Sequence, residues 1–291
     1  MRRLFSAIAL VSCLAFSAPA LAIENGDFEL SKLGYPDGAT ADAANARFRM
    51  FATQLATAIS GFNFAPPTTT GHAGFNIALE YGVSMVDKDF WPTHNNDSGF
   101  LMMPTLHVRK GLGFSFELGG RVSYLIDSSM VAGTLDLKWA LNEGIAYAPD
   151  FAVRGMVTKL FGATDLSLVA AGVDVGIGKK FGLGGDLTIT PYAGWNILFT
   201  HASTRMIEGK PDRTQEDALA HPFDTLRAFD TVEMADNFSH RFYGGLRFRI
   251  IRQLEIALEF SYAMISISHG VEDVAEKTHL MNFGGKIGMD F

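Results

Sequence analysis

Apolar and polar residues alternate with a period of two along about ten segments between residue 73 and the end of the chain. Successive side chains of a β-strand point to opposite faces, so the pattern predicts strands with one apolar face and one polar face. In the third segment, for example, Leu118 and Val122 share one side and Arg121 lies on the other. Alternation alone also fits a soluble sandwich. Segments of about ten residues or more, with apolar faces that lack charge in the strong strands, favour strands that cross a membrane.

Composition agrees with strands as the membrane-crossing element. Hydrophobic residues make up 48% of the chain, yet beyond its first residues no apolar run reaches the length of about 18 that a membrane helix needs. Strands that face lipid on one side explain this combination, because every second residue can be apolar. The net charge of −7 argues against a nucleic-acid partner, which would need a basic stripe.

Residues 1–22 are predicted to be a secretory signal peptide. Two arginines precede an apolar stretch at residues 4–16, and an Ala-Leu-Ala cleavage site ends at Ala22. A lipoprotein cleavage box before Cys13 and a twin-arginine export signal are weaker alternatives. Cys13 is the only cysteine, so the mature chain is expected to have neither a disulfide nor thiol chemistry.

The predicted last strand ends on an aromatic residue. Its apolar face consists of Phe283, Ile287, Met289 and Phe291. A final strand of this kind resembles the terminal strand of bacterial outer-membrane β-barrels, which the barrel-assembly machinery reads. The resemblance implies an all-β fold, an antiparallel up-and-down transmembrane barrel of about ten strands, with about eight to twelve possible. It also implies a location in the bacterial outer membrane, contact with its lipid and with the assembly machinery, a role for these four residues as the assembly signal, and no cofactor.

Residues 23–72 follow a different pattern from the barrel segment, residues 73–291. Phe48, Phe51 and Leu55 lie three and four residues apart, which predicts an amphipathic helix over residues 41–59. We expect a periplasmic helix packed under the barrel mouth. The alternatives are a plug inserted into the lumen, or an additional strand in place of part of the helix.

Connection lengths predict which side each loop faces. If Phe291 lies in the periplasm, the long linker at residues 201–240 is external, and the short turns at 109–111 and 251–253 are periplasmic. An even number of strands then places the mature N-terminus in the periplasm.

The faces opposite the apolar ones carry charge and are expected to line the lumen. The charged residues are Glu80, Glu117, Arg121, Asp136, Lys138, Arg247, Arg249, Glu255, Glu259 and Lys286. A narrow lumen has little water to solvate isolated ions, so these charges should neutralise one another. They form either a structural network that fills a small barrel or a constriction that sorts ions.

Two hairpins allow the pairing of these charges to be predicted. A turn at 251–253 places Arg249 directly across from Glu255. A turn at 127–130 places Arg121 across from Asp136. Glu117 and Lys138 then lie a diagonal step away from this second pair.

The leading functional prediction is porin-like passage of small polar solutes or ions. The alternative is a closed structural or surface-interaction barrel that acts through its external loops, and the third is a lipid-modifying enzyme. His107, Ser115 and Glu117 have the residue types of a hydrolase, but they lie near the periplasmic end, so no enzyme is predicted. Acidic residues at 87–97 do not follow a calcium-loop pattern, so no metal is expected.

Overall fold

The computed structural model describes residues 24–34, 41–95, 98–208, 214–221, 226–268 and 276–291. The predicted signal peptide, residues 1–22, lies outside these described residues.

Ten long antiparallel strands form within the described residues, at the places where the alternation predicts them. They are β1 (Phe75–Met85), β2 (Phe100–Gly111), β3 (Phe116–Tyr124), β4 (Val131–Asn142), β5 (Asp150–Phe161), β6 (Leu166–Gly178), β7 (Leu187–Thr204), β8 (Phe238–Arg249), β9 (Leu254–Ser266) and β10 (Lys277–Asp290). Each strand pairs with its neighbours in sequence, and β10 pairs with β1. The sheet therefore closes on itself without an unpaired edge. This closed barrel confirms the predicted fold class.

The two ends of the barrel differ in their connections. β1 begins and β10 ends at one of them, the Phe291 end, where the backbones of Phe75 and Phe291 exchange hydrogen bonds of 3.0 and 2.7 Å. The connections there include 112–115 and 250–253, and a short strand, Phe181–Gly184, adds to β7. The opposite long-loop end carries the described parts of 86–99 and 205–237. The second of these ranges contains the short paired strands Ile207–Glu208 and Leu226–Arg227 and the helix α2 (Gln215–Ala220).

The predicted external loop at residues 201–240 is too long at both ends. β7 continues to Thr204, which pairs with Leu166 of β6. β8 starts at Phe238, which pairs with Ser266 of β9. The inward positions stay buried as far as Ala202 in β7 and from Ser239 onward in β8. The connection between the two strands therefore has the bounds 205 and 237.

Two predicted turns are also displaced. β2 runs through the turn predicted at 109–111, and the chain reverses at 112–115, where Phe114 and Ser115 adopt φ values of 59° and 60°. These left-handed conformations end the alternation. The turn predicted at 127–130 begins earlier, because Leu125 N donates a hydrogen bond to Met130 O (3.1 Å).

The predicted register between β3 and β4 is therefore wrong by two residues. Arg121 lies across from Thr134 instead of Asp136. Glu117 lies directly across from Lys138, where a diagonal relation was predicted. A shift of two residues leaves every side chain on its predicted face of the sheet.

The helix α1 spans Ala41–Ile59, the bounds that its apolar spacing predicts. All of its residues from position 50 to position 59 are buried, and it contacts β5 to β10. A helix that is buried on every face and contacts six strands of a closed sheet lies inside the barrel. The predicted position under the barrel mouth is therefore wrong, because the inner wall offers α1 an apolar surface. The predicted alternative, a helix in the lumen, agrees with the structure.

No helix within the described residues has the length and apolar character needed to cross a membrane.

The described parts of the chain before β1, residues 24–34 and 41–74, extend from the long-loop end to the Phe291 end, with α1 inside the lumen. Gly26 N donates a 2.7 Å hydrogen bond to Asp127 O at the long-loop end. After α1, the chain reaches the Phe291 end, where Gly111 N donates to Gly74 O (3.0 Å). Glu24 therefore lies at the end opposite to the start of β1, although strand parity predicts the N-terminus at the Phe291 end. The parity argument fails because the segment inside the lumen adds one more crossing.

Candidate functional site: the filled lumen and the long-loop end

The inner wall of the long-loop half is apolar. Its buried inward side chains include Leu101, Met103, Leu125, Met130, Leu160, Leu168, Leu198, Ile265 and Leu280. They form one cluster with Phe48, Phe51 and Leu55 of α1, which are fully buried. The interior of a water-filled porin is polar. This half of the lumen instead has the composition of a protein core.

Polar contacts fix α1 at both of its ends. Near its start, Asn45 Nδ2 donates to the Asp230 carboxylate (2.8 Å), and Asp230 N donates back to Asn45 Oδ1 (3.0 Å). Near its end, Thr57 Oγ1 lies 2.9 Å from Ser239 Oγ of β8. These contacts join α1 to the long loop and to the barrel wall.

After α1, residues 61–72 form an irregular segment, without helix or strand, in the Phe291 half. Charged side chains of the wall bind its backbone. The carboxylate of Glu259 accepts hydrogen bonds from Asn63 N (2.9 Å), Phe64 N (2.7 Å) and Tyr192 Oη (2.9 Å). Lys138 Nζ donates to Thr68 O (2.9 Å). These predicted lumen charges therefore hold the irregular segment in place.

Two glycines of the wall make room for this segment. Phe62 and Phe64 stack with their ring centroids 4.8 Å apart. A Cβ added to Gly82 would overlap the ring of Phe62, and one added to Gly284 would overlap the ring of Phe64. The segment fits the wall only because both positions lack a side chain.

Glu255 is the centre of the charge network in the Phe291 half. Its carboxylate, which is fully buried, lies 2.6 Å from Lys286 Nζ, 3.2 Å from an Arg109 nitrogen and 3.4 Å from an Arg247 nitrogen. The register prediction that puts Arg249 across from Glu255 is confirmed. The guanidinium of Arg249, however, pairs with Asp290 (2.6 Å) instead of Glu255.

Two further groups complete the network. Glu117 accepts from Lys138 (2.7 Å) and Arg109 (3.3 Å). Glu80 pairs with Arg121 (3.4 Å), which also lies 3.9 Å from Asp136. The structure thus brings most of the predicted lumen charges together as buried pairs. The exceptions are Arg249, whose pair with Asp290 is partly exposed, and Glu259, which binds backbone N–H groups.

Sequence reasoning missed several members of this network. Arg154 pairs with Asp174 (3.1 Å), whose carboxylate also accepts from Tyr243 Oη (2.8 Å). Arg154 and Asp174 occupy inward positions of β5 and β6, where the alternation is weaker. The inward positions of these two strands, counted two residues apart, would have found both charges.

The predicted hydrolase residues do not assemble into a catalytic site. His107 Nδ1 lies 2.6 Å from Glu80, while Ser115 lies in the turn at 112–115. At the long-loop end, Ser239 faces α1 and His240 stacks on Trp195 on the outer side of the wall. Positions 96 and 97 of the acidic segment at 87–97 lie outside the described residues.

Within the described ranges, no group of three or more His, Cys, Asp or Glu residues has the arrangement of a metal site.

The outer surface of the barrel is apolar. Leu79 is 68% exposed and Leu135 is 69% exposed, and many other outward strand positions carry exposed Leu, Val, Ile, Phe or Trp. The predicted assembly-signal residues Phe283, Ile287, Met289 and Phe291 belong to this outer surface. Their role in assembly stays a prediction. An apolar belt around a closed barrel is the surface of a membrane-spanning barrel, so this chain is a bacterial outer-membrane protein.

The long-loop end contains a cavity of about 460 Å³. The N-terminal segment lines one side of it with Phe28, Glu29 and Leu30, and Met206 and Ile207 line another. The cavity therefore has both acidic and apolar walls.

No protein-family model matches the chain, and no curated protein is significantly similar to it. Several solved outer-membrane barrels resemble it weakly. Ail of Yersinia pestis is 10% identical, with 76% of this chain and 99% of that chain covered and a TM-score of 0.29. Neisserial surface protein A is 9% identical (76% and 100% covered, TM-score 0.32), and the KdgM porin is 6% identical (74% and 99% covered, TM-score 0.33). Values this low carry no information about function.

Proposed function

We propose that this protein is a closed outer-membrane barrel that acts through the surface at its long-loop end. The proposal depends mainly on the apolar inner wall of the long-loop half, which α1 covers with fully buried side chains. A solute that passed would have to displace α1 and expose this wall to water, at a cost of about 25 cal/mol per Å² of apolar surface. Porin-like passage of small polar solutes or ions is the weaker of the two functions.

The long-loop end offers the surface through which such a barrel would act. Residues 24–34, 86–95 and the described parts of 205–237 meet there. Side chains from each of them line the 460 Å³ cavity, together with the connections at 125–130 and 162–165. We propose that this end faces the outside of the cell, since the longer connections of outer-membrane barrels are extracellular. We propose no catalytic role, because His107 is paired with Glu80 and lies apart from Ser115.

Conductance across a planar bilayer tests whether the lumen is closed. The refolded full-length mature chain is expected to insert without stable channels. Heat-modifiable gel mobility is the control that the inserted protein is a folded barrel.

A disulfide lock makes this test specific for α1. In a chain without other cysteines, oxidised Thr57→Cys/Ser239→Cys should join α1 to β8, because the two hydroxyl oxygens lie 2.9 Å apart. Thr57→Cys/His240→Cys is the matched control, since His240 faces outward and should not react with position 57. Stable channels in the oxidised, locked protein would contradict a closed lumen. Channels that open only after reduction would identify α1 as a movable plug, and would also contradict permanent closure.

A further inference from the structure

The segment before α1 lies on the same surface as the long loops, although β1 begins at the other end of the barrel. We propose that the N-terminal part of the mature chain passes out through the barrel and is displayed at the long-loop end. Any polypeptide that precedes Glu24 after processing would then be presented on that surface. The proposal adds a displayed segment to the proposed function. It rests on that function only for the side of the membrane that the long-loop end faces.

Backbone hydrogen bonds attach this segment to two connections of the long-loop end. Gly26 N donates to Asp127 O (2.7 Å), in the connection between β3 and β4. Glu29 N donates to Pro92 O (2.7 Å), in the connection between β1 and β2. A Cβ at position 26 would lie 2.6 Å from Asp127 O, so the close approach requires glycine there.

Side chains reinforce the attachment. Phe28 packs against Phe51 of α1 and against Trp91, with ring centroids 4.8 and 5.4 Å apart. Lys32 Nζ donates to the backbone oxygens of Thr93 (2.8 Å) and His94 (2.7 Å). The segment therefore packs against the apolar core inside the lumen, at the long-loop end.

The rest of the path through the barrel is consistent with this topology. A Cβ at Gly34 would lie 3.5 Å from Ala44 in the first turns of α1, so the segment meets the helix at its start. The chain then follows α1 and residues 61–72 down to Gly74, beside β2 at the Phe291 end. Glu24 and Asn25, at the start of the described segment, are exposed to solvent.

Three single-cysteine variants of the mature chain test the proposal in intact cells. Glu24→Cys reports on the N-terminal segment, Leu219→Cys on the long loop, where that side chain is 76% exposed, and Tyr147→Cys on the Phe291 end, where the side chain is fully exposed. Each is treated with a membrane-impermeant maleimide before and after the outer membrane is permeabilised. Only protein with the gel mobility of the folded barrel is scored. The mature chain contains no other cysteine, so each signal belongs to one position.

We expect Glu24→Cys and Leu219→Cys to be labelled to the same extent in intact cells. Tyr147→Cys should be labelled only after the outer membrane is permeabilised. If Glu24→Cys instead follows Tyr147→Cys, the threaded path is wrong. If Glu24→Cys and Leu219→Cys are both protected while Tyr147→Cys reacts, the barrel is inverted. That result overturns the proposed outward orientation and with it surface display, while the shared location of positions 24 and 219 still stands.

Discussion

The two halves of the lumen are filled by the same stretch of chain in two different ways. In the long-loop half, α1 packs apolar side chains such as Phe51 and Leu55 against an apolar wall. In the Phe291 half, irregular residues 61–72 lie against charged side chains such as Glu259 and Lys138, which bind the backbone directly. The secondary structure explains the difference. A helix satisfies its own backbone hydrogen bonds and can meet an apolar wall, whereas an irregular segment needs hydrogen-bond partners from the wall.

The two kinds of filling should respond to mutation in opposite ways. Apolar packing is not directional, so it tolerates exchanges that conserve volume and is weakened by cavities. A buried charge network depends on every partner, because removal of one ion leaves the others unpaired away from water. Changes in charge should therefore have the largest effects, and should have them in the Phe291 half.

Glu255→Gln is expected to have the largest effect. It removes one charge from among Lys286, Arg109 and Arg247 and leaves three buried cations close together. Loss of one partner of a buried ion pair costs about 3–5 kcal/mol of unfolding free energy. Urea unfolding of the refolded protein, followed by tryptophan fluorescence, measures the loss.

Asp290→Asn is the matched control for this change, since Asp290 pairs with Arg249 where both side chains are partly exposed to solvent. Solvent-exposed pairs contribute about 0–1 kcal/mol. Equal losses in the two variants would mean that the network around Glu255 is hydrated and that the Phe291 half is more open than its packing indicates.

Leu55→Ala tests the apolar half and should cost somewhat less, about 3 kcal/mol, because it leaves a cavity between α1 and the wall. Leu79→Ala is the control on the lipid-facing side of β1, where Leu79 is 68% exposed. Lipid can fill the space left there, so this variant should lose only the transfer free energy of the removed carbon atoms, without the additional cost of a cavity. If the two losses were equal, α1 would not be packed in a dry core.

Much of the barrel could be predicted from the sequence because the alternation of inward and outward side chains along a strand is a local property. The alternation found all ten strands, and the bounds of α1 follow from the spacing of residues such as Phe48 and Leu55. The register of β8 on β9 was also correct, because their turn is short. The register of β3 on β4 was wrong because it depends on the turn conformation around Asp127, which has φ of 61°.

The position of α1 was harder to predict, because it depends on which apolar surface of the barrel the helix packs against. A signal was nevertheless present in the inward residues of the long-loop half. Leu168 and Ala170 make β6 apolar on both faces, and Leu198 and Ile265 continue the pattern on β7 and β9. A strand with two apolar faces in a membrane barrel must meet protein on its inner side. The contacts of single charges, such as Arg249 with Asp290, depend on side-chain geometry and could not be predicted from the alternation of residues along the strands.

Gly284→Ala tests the point where the irregular segment 61–72 meets the wall, and should have the smallest effect on stability of the three substitutions. The added methyl group would overlap the ring of Phe64, and overpacking of this kind costs about 1–3 kcal/mol. Gly285→Ala, one residue along β10, points outward, where the nearest atom of Leu258 is 3.5 Å away, so its unfolding free energy should change little. A second replacement, Phe64→Leu, should restore part of the stability lost in Gly284→Ala, because it removes the overlapping ring atoms. If Gly284→Ala were as stable as Gly285→Ala, residues 61–72 would not press against this wall, and the Phe291 half would be held by its charges alone.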